Sequence, residues 1–546
     1  MRNVGKILLL FAANIAAIAN AHAAGVTVAV DAAANRHPIN PQVYGVAFAS
    51  PTDLAALNAP LNRMGGNNMS TYNWATNAQN LDNDWYFESY PQPSAVPGEE
   101  ADSFVSDSKS GGALAMLTVP LIGWVANLGP GRTILPSFSV SRYGAQCATD
   151  PYFPDAGDGV KTDCVTAITG NDPNDAYVKD SPKAEQKWIK HLVQTWGRSR
   201  AGGVPYYLMD NEASIWFSTH RDVHPIGPHA DEYRDKVIAE SAKIKGLDAN
   251  AKIVAPEEWG WEAYFYSGFD QQYAANHGYK KFPDHEKEQG GMDYLPWLLA
   301  EWKAVGKPVD VVSVHYYPQS GEYGDDDSQQ MQLLRNQSTR ELWDPNYVSK
   351  SWINAAVALI PRLKSWVSQE YYASTPVAVT EYNWGDEAHI NGATTQADIF
   401  GIFGATGLDM ATRWTVPASS TPTYKAMQMY RNYDGANSTF GDTSVSAVAP
   451  NADSLSAFAA LRSKDGALTV MVINKVAAAT SLKLTLANCA QSGSAQVWRL
   501  TSTNSIQHLA GIGWSGGTLT DTVPAQSITL YILPQGAKRR VSDQAH

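Results

Sequence analysis

The chain has 546 residues, of which 44% are apolar and 17% charged, with a net charge of −12. That length is more than one ordinary domain needs, and that composition excludes an intrinsically disordered chain. An acidic surface without a Lys/Arg stripe repels phosphate backbones and anionic lipid, so neither nucleic acid nor a membrane is expected as a partner.

In chain order, Met1, Arg2 and Lys6, the apolar stretch Ile7 to Ala19, and Ala21-His22-Ala23 form the three parts of an export signal cut after Ala23. The stretch is too short to span a bilayer as a helix. A secreted protein, extracellular or periplasmic, is therefore expected. Residues 24–37 open with the alternation Val26-Thr27-Val28-Ala29-Val30, which reads as a strand.

From 38 to 434 the chain repeats one cadence of a short apolar run, a loop and an amphipathic stretch. The runs at 43–49, 60–65, 113–119, 204–210, 252–256, 309–315, 376–380 and 408–414 predict eight strands. Helices are predicted over Glu185 to Arg198, Asp231 to Lys245, Leu295 to Val305, Tyr347 to Trp366 and Thr395 to Leu408. Apolar strands alternating with helices in eight units predict an α/β fold, a (β/α)8 TIM barrel. The connection 120–203 is longer than a helix needs and rich in Gly, Asp and Pro, as loops over an active-site face are.

Past the turn-rich tract Asp434 to Asp442 the period changes to two. Segments 443–449, 455–462, 467–475, 480–487, 494–500 and 526–533 predict an accessory all-β sandwich over 435–540, which the N-terminal strand joins. Residues 541–546 read as a tail. Cys147 and Cys164 lie in one loop, where an exported protein allows them to bridge, and Cys489 is left over.

Two glutamates follow predicted strands. Glu212 closes Val204-Pro-Tyr-Tyr-Leu-Met-Asp-Asn-Glu, and Glu381 closes Thr375-Pro-Val-Ala-Val-Thr-Glu. Strands four and seven of such a barrel face one another across its mouth. Hydrolysis of a glycosidic bond needs one carboxylic acid to protonate the leaving oxygen and one carboxylate to meet the forming oxocarbenium ion. Asn211 is placed to donate to a sugar hydroxyl, or to cap a turn. His315 and Tyr317 end strand six beside Glu381. Arg63 and Asn68 follow strand two around Gly65-Gly66, where Arg63 either holds Glu381 ionised or is a buried structural arginine.

The chain carries 17 Trp, 26 Tyr and 14 Phe. Such rings line clefts for neutral polysaccharides or fill the interior of a large barrel. Trp74, Trp85, Trp216, Trp259, Trp261, Trp343, Trp384 and Trp414 all fall just past predicted strands, on the face of the carboxylates. Glu257, Glu258 and Glu262 cluster after strand five, suited to substrate hydroxyls or local charge balance. Asp155, Asp158 and Asp163 pack oxygen ligands densely enough for calcium, or form an Asp/Gly turn cluster; the spacing is not that of an EF-hand.

Six segments together resemble glycoside hydrolase family 44: RMGGNNMSTYNW (63–74), PDAGDG (154–159), ITGNDPNDA (168–176), MDNEASIWFSTHRDVHP (209–225), SVHYYPQ (313–319) and VTEYNWG (379–385). The resemblance implies a retaining endo-β-1,4-glucanase or xyloglucanase with a barrel and a β-sandwich, and structural calcium in some members. It implies Glu212 as acid/base and Glu381 as nucleophile, their carboxyl groups about 5–5.5 Å apart. Ala213 stands where the family usually has Pro after Asn-Glu. The expected partner is a β-1,4-glucan polysaccharide or oligosaccharide, with a xylanase, a mannanase or a non-catalytic carbohydrate-binding protein as alternatives. No organic cofactor is expected, and a monomer is.

Overall fold

The computed structural model describes residues 23–535. Of the export signal expected over residues 1–23 all but Ala23 lies outside the described residues, as does the expected tail 541–546. Eight parallel strands close into a barrel in chain order: Gly45–Ala47, Leu61–Met64, Leu114–Val119, Tyr206–Met209, Lys252–Glu258, Val311–Tyr316, Val377–Tyr382 and Met410–Arg413. The last pairs with the first through Thr412 opposite Gly45 and Arg413 opposite Val46. All eight predicted strands are present.

Strand alternation divides the barrel's side chains. Leu61, Met116, Leu208, Val254, Val311, Ala378 and Met410 form one buried layer inside it. Val312, Val314, Val377 and Val379 point the other way, into the core beneath the helices. The helices Pro182–Trp196, Ala230–Leu247, Tyr294–Ala304 and Ile390–Thr406 start ahead of their predicted spans, and all but the second stop one or two residues short of the predicted end. The helix expected from Tyr347 begins only at Leu359 and runs to Glu370. Before it, Ser349 and Ser351 hydroxyls accept from the backbone two residues on, and Asn354 and Ala358 have φ of 44° and 42°. Local side-chain bonds and left-handed residues both compete with a helix there.

The second sheet contains the N-terminal strand Ala23–Asp31, antiparallel to Thr443–Val448 and parallel to Thr480–Ala487. Its other strands are Leu455–Leu461, Leu468–Asn474, Gly493–Leu500, Gln507–Trp514, Thr518–Val523 and Ser527–Leu533, with His37–Pro38 paired at one side. The strands at 507–514 and 518–523 were not predicted. They lie at the two ends of the strand order, and the first is mostly exposed, so neither carries a clear apolar alternation.

Central strands of this sheet are buried on both faces, for a reason visible in their period of two. Leu468, Val470 and Val472 fill the sandwich interior, while Met471 and Ile473 join the barrel's core. Tyr531 and Leu533 divide from Ile528, Leu530 and Ile532 in the same way. The barrel helix Ile390–Thr406 is consequently buried along nearly its whole length. At Gly401 a Cβ would lie 2.1 Å from the Phe458 ring, so only glycine lets strand and helix approach this closely. Lys475 and Asp398, both 2% exposed, pair at 2.5 Å across the junction, where Thr339 also donates to Asp398.

Glu240, on the helix Ala230–Leu247, is 0% exposed and neither carboxyl oxygen has a partner. Burial, reinforced by the charge of Asp180, pushes it up to about 8. The folded protein thus holds a proton that the unfolded chain releases above about pH 4.5, and stability falls as pH rises from there toward 8. Glu240→Gln cannot ionise. Between pH 5 and 9 it should lose on the order of 4 kcal/mol less stability than the parent. Denaturant melts at the two pH values measure this; parallel losses would mean that Glu240 is already charged in the native state.

Candidate active site

The C-terminal end of the barrel carries a cleft of about 320 Å³ lined by Asn67, Asn68, Asp84, Asn211, Glu212, Trp259, Tyr317, Gln319, Glu381 and Trp414, among others. Glu212 is brought there by a turn after the fourth strand. Asp210 and Glu212 have φ of 66° and 49°. Such strain persists only where surroundings impose it. Asp210, 0% exposed, accepts from Ser70 Oγ and from the backbone N–H groups of Leu121, Ile122 and Asn211. The Glu212 N–H donates to the Glu257 carbonyl at 3.0 Å. Glu381 ends the seventh strand, opposite His315 of the sixth.

Each oxygen of Glu381 has a donor: Arg63 Nη1 at 2.6 Å on Oε1 and the Tyr317 hydroxyl at 2.8 Å on Oε2. His315 Nδ1 lies 2.8 Å from Glu212 Oε1 and 3.7 Å from Glu381 Oε2. Burial alone would push the His315 imidazole down. The carboxylates of Glu381, Glu212 and Glu257 outweigh it and bring His315 up to about 10, so both ring nitrogens donate at neutral pH. Burial also raises Glu212, and the charge of Glu381 adds to this against the opposing His315 and Arg63. Burial likewise works against the charge on Glu257, but His315 and Arg63 hold its carboxyl below the usual glutamate value.

One ligand atom each from Glu212, His315 and Glu381 lie within 4.8 Å of one another, a spacing at which the three could hold a metal ion. The two carboxyl groups therefore have oxygens no more than 4.8 Å apart. Their side chains are 15% and 6% exposed, whereas those of Arg63, His315 and Glu257 are at 0%, beneath the cleft floor.

Gly65 and Gly66 act through the space they leave. A Cβ at Gly65 would lie 2.4 Å from the Arg63 guanidinium carbon. One at Gly66, whose φ is 86°, would lie 2.7 Å from the Trp414 ring. The Arg63 guanidinium is 5.7 Å from the centre of that ring.

The other predicted residues scatter. Trp85 is 40% exposed, beside the cleft residue Asp84. Trp216 is 0% exposed and Trp384 3%, the latter donating to Ser338 Oγ, so both belong to the core. Trp74 stacks on His191 at 5.9 Å. Trp343 lines a different cavity of about 360 Å³ between barrel and second sheet. Trp261 packs on Phe265, and Glu262 is half-buried beside it, outside the cleft lining. Glu257 and Glu258 are 0% exposed and cannot meet substrate hydroxyls. The apolar runs placed all these residues past strand ends; they do not tell which way a loop side chain turns.

Asp155, Asp158 and Asp163 are not brought together as a three-ligand group. Each caps its own stretch of loop: Asp155 accepts from Ser141, Asp158 from Ala148 and Val160, and Asp163 from Val165 and Thr166. Cys147 and Cys164 are bridged, and Cys489 is free. Sequence reading missed Asp210 altogether, although its place between a buried strand and Asn-Glu is the signal for a turn anchor.

The fold recurs in solved structures. The chain aligns with CelM2, a bifunctional glucanase-xylanase protein from a metagenome library, at 57% identity and a TM-score of 0.92, over 94% of this chain and 99% of that one. The chain belongs to glycoside hydrolase family 44. The family's own sequence pattern matches residues 78–320 of this member. A Paenibacillus polymyxa xyloglucanase of family 44, solved with xyloglucan, aligns at 27% identity and a TM-score of 0.76 over 94% of this chain and all of its own. Endoglucanase A of Paenibacillus lautus is 29% identical over 84% of this chain. This family 44 chain spans 64% of that protein's length and 34% of a second curated relative.

Proposed function

We propose that the protein is a secreted, endo-acting glycoside hydrolase that cleaves β-1,4-glucan linkages, in cellulose-type glucans and xyloglucan, with retention of configuration. One observation carries this reading: Glu212 and Glu381 reach one open cleft with carboxyl oxygens within 4.8 Å. Retaining enzymes hold their carboxyl groups about 5–5.5 Å apart, and inverting ones leave room between them for a water.

In the first step Glu381 attacks the anomeric carbon while Glu212 gives its proton to the leaving oxygen, and the glycosidic C–O bond breaks. Burial keeps Glu212 raised, which suits it to hold that proton. His315 then stabilises the Glu212 carboxylate through Nδ1–H. In the second step Glu212 takes a proton from water, which attacks the anomeric carbon and frees Glu381. Asn211 accepts from Arg63 and donates to Asn67, which aims its amide along the cleft toward a sugar hydroxyl. Trp259 and Trp414 offer apolar faces to sugar rings. The scheme calls on no organic cofactor. With Glu212 raised, the alkaline limb of kcat/KM should lie above the 4.5 of an ordinary glutamate; a limb at or below that value would contradict the assignment.

The xylan reading has its own support, since CelM2 is described as a glucanase-xylanase. Reducing-end release from xyloglucan, carboxymethyl cellulose, xylan and mannan tests both. Oligosaccharides from the glucans are expected. Release from xylan or mannan alone would transfer the assignment, and no release from any would leave a carbohydrate-binding protein. Export agrees with the Cys147–Cys164 bridge, which an oxidising compartment permits. The division into a catalytic part, 38–434, and a β-sandwich, 435–540, belongs to the same proposal.

Structural calcium fits Glu88 and Asp150 better than the three loop aspartates. Glu88 is 1% exposed with Oε1 unpartnered, and Asp150 is 3% exposed. Burial first, and then the facing Asp150 carboxyl, pushes Glu88 up to about 8. A divalent cation neutralises such a pair and would tie the strand Glu88–Pro91 to the disulfide loop. Chelation should then lower the melting temperature of the parent by several degrees and leave Glu88→Gln unmoved; equal responses of the two would exclude these ligands.

A further inference from the structure

Beneath the cleft floor, Glu257 is a fully buried carboxylate between two cations. Its Oε2 lies 3.2 Å from Arg63 Nη2 and 3.3 Å from His315 Nε2, and its Oε1 accepts from Thr380 Oγ1 at 2.9 Å. Thr380 immediately precedes Glu381. The Glu257 carbonyl takes the backbone N–H of Glu212. One residue that cannot touch substrate thus contacts the groups holding both cleft glutamates. Glu257 has φ of 58°, a strained value for a non-glycine residue, and such strain concentrates at functional sites.

Arg63 divides its guanidinium, with Nη1 on Glu381 and Nη2 on Glu257. Without the Glu257 charge, Arg63 at 2.6 Å and His315 at 3.7 Å would both act on Glu381 uncompensated. Among groups this buried, such pairing stabilises a carboxylate strongly and weakens it as a nucleophile. We propose that Glu257 is a positioning residue whose negative charge takes up the Arg63 and His315 cations, leaving Glu381 free to attack and holding the His315 Nδ1–H on Glu212. The proposal rests on the roles assigned above to Glu212 and Glu381.

Two substitutions separate charge from shape. Glu257→Gln keeps the size and removes the charge; Glu257→Asp keeps the charge and shortens the side chain. On a soluble cello-oligosaccharide, Glu257→Gln should lower kcat about 100-fold, the scale set by a small misplacement of reacting groups, with KM within about threefold. Glu257→Asp should retain at least about ten times the kcat of Glu257→Gln. A near-parental kcat for Glu257→Gln, or an aspartate variant no better than the glutamine one, would overturn the proposal. If Glu257→Gln gives no cooperative melt, Thr380→Val removes the neutral donor and keeps the charge. That variant should lose about fivefold in kcat at unchanged KM, and an unchanged kcat would again overturn it. The underlying roles fail separately, if Glu212→Gln and Glu381→Gln turn over normally.

Discussion

Glu381→Gly is expected to lose about 10⁵-fold in kcat, the scale seen when a nucleophile is removed from a catalytic unit. The loss falls on the first chemical step, because no other carboxylate stands where Glu381 meets Arg63 and Tyr317. Azide should enter the vacated space and attack from the same face, giving an α-glycosyl azide and restoring part of the rate on an activated aryl glycoside. The fold should survive, since Arg63 keeps Glu257 and Asn211 as acceptors. A variant that is folded and within tenfold of the parent would remove Glu381 from the mechanism.

Glu212→Gln should lower kcat on unactivated glucan by about 10³-fold, the middle of the range for general acid–base catalysis. The variant separates the two uses of that residue. An aryl glycoside whose leaving group needs no proton should form the glycosyl-enzyme nearly as fast as in the parent and then stall, because the second step still needs a base. A burst followed by slow turnover is the expected trace. Equal losses in the rate of glycosyl-enzyme formation on activated and unactivated substrates would mean that Glu212 does not handle the leaving-group proton.

Much of this arrangement was legible in the chain itself. Eight apolar runs located every barrel strand, because strands covered by helices bury both faces and leave continuous Val/Ile/Leu signals. The edges of the second sheet were not legible: Gln507–Trp514 is mostly exposed and interrupted by Gly511 and Gly513. The helix expected from Tyr347 starts only at Leu359 for a local reason, the serine turns before it. Around the cleft, Arg63 and His315 lie near the ends of their strands and Asn211 and Tyr317 just past theirs, so their strand positions predicted their meeting with Glu212 and Glu381. The tryptophans are loop residues, and Trp216, Trp343 and Trp384 turned into the core or toward the second sheet. Glu257 shows the limit most plainly. From sequence it resembles its neighbour Glu258, and only the placement of Arg63 and His315 on either side gives it a distinct role.

A 2-deoxy-2-fluoro glycoside of a cello-oligosaccharide with an activated leaving group traps the intermediate of a retaining enzyme, and peptide mass spectrometry then locates the attached sugar. The label should sit on the peptide that contains Glu381, in one-to-one amount, with none on Glu212 or Asp84. Attachment to either of those residues, or inactivation without any covalent sugar, would contradict the two-glutamate mechanism.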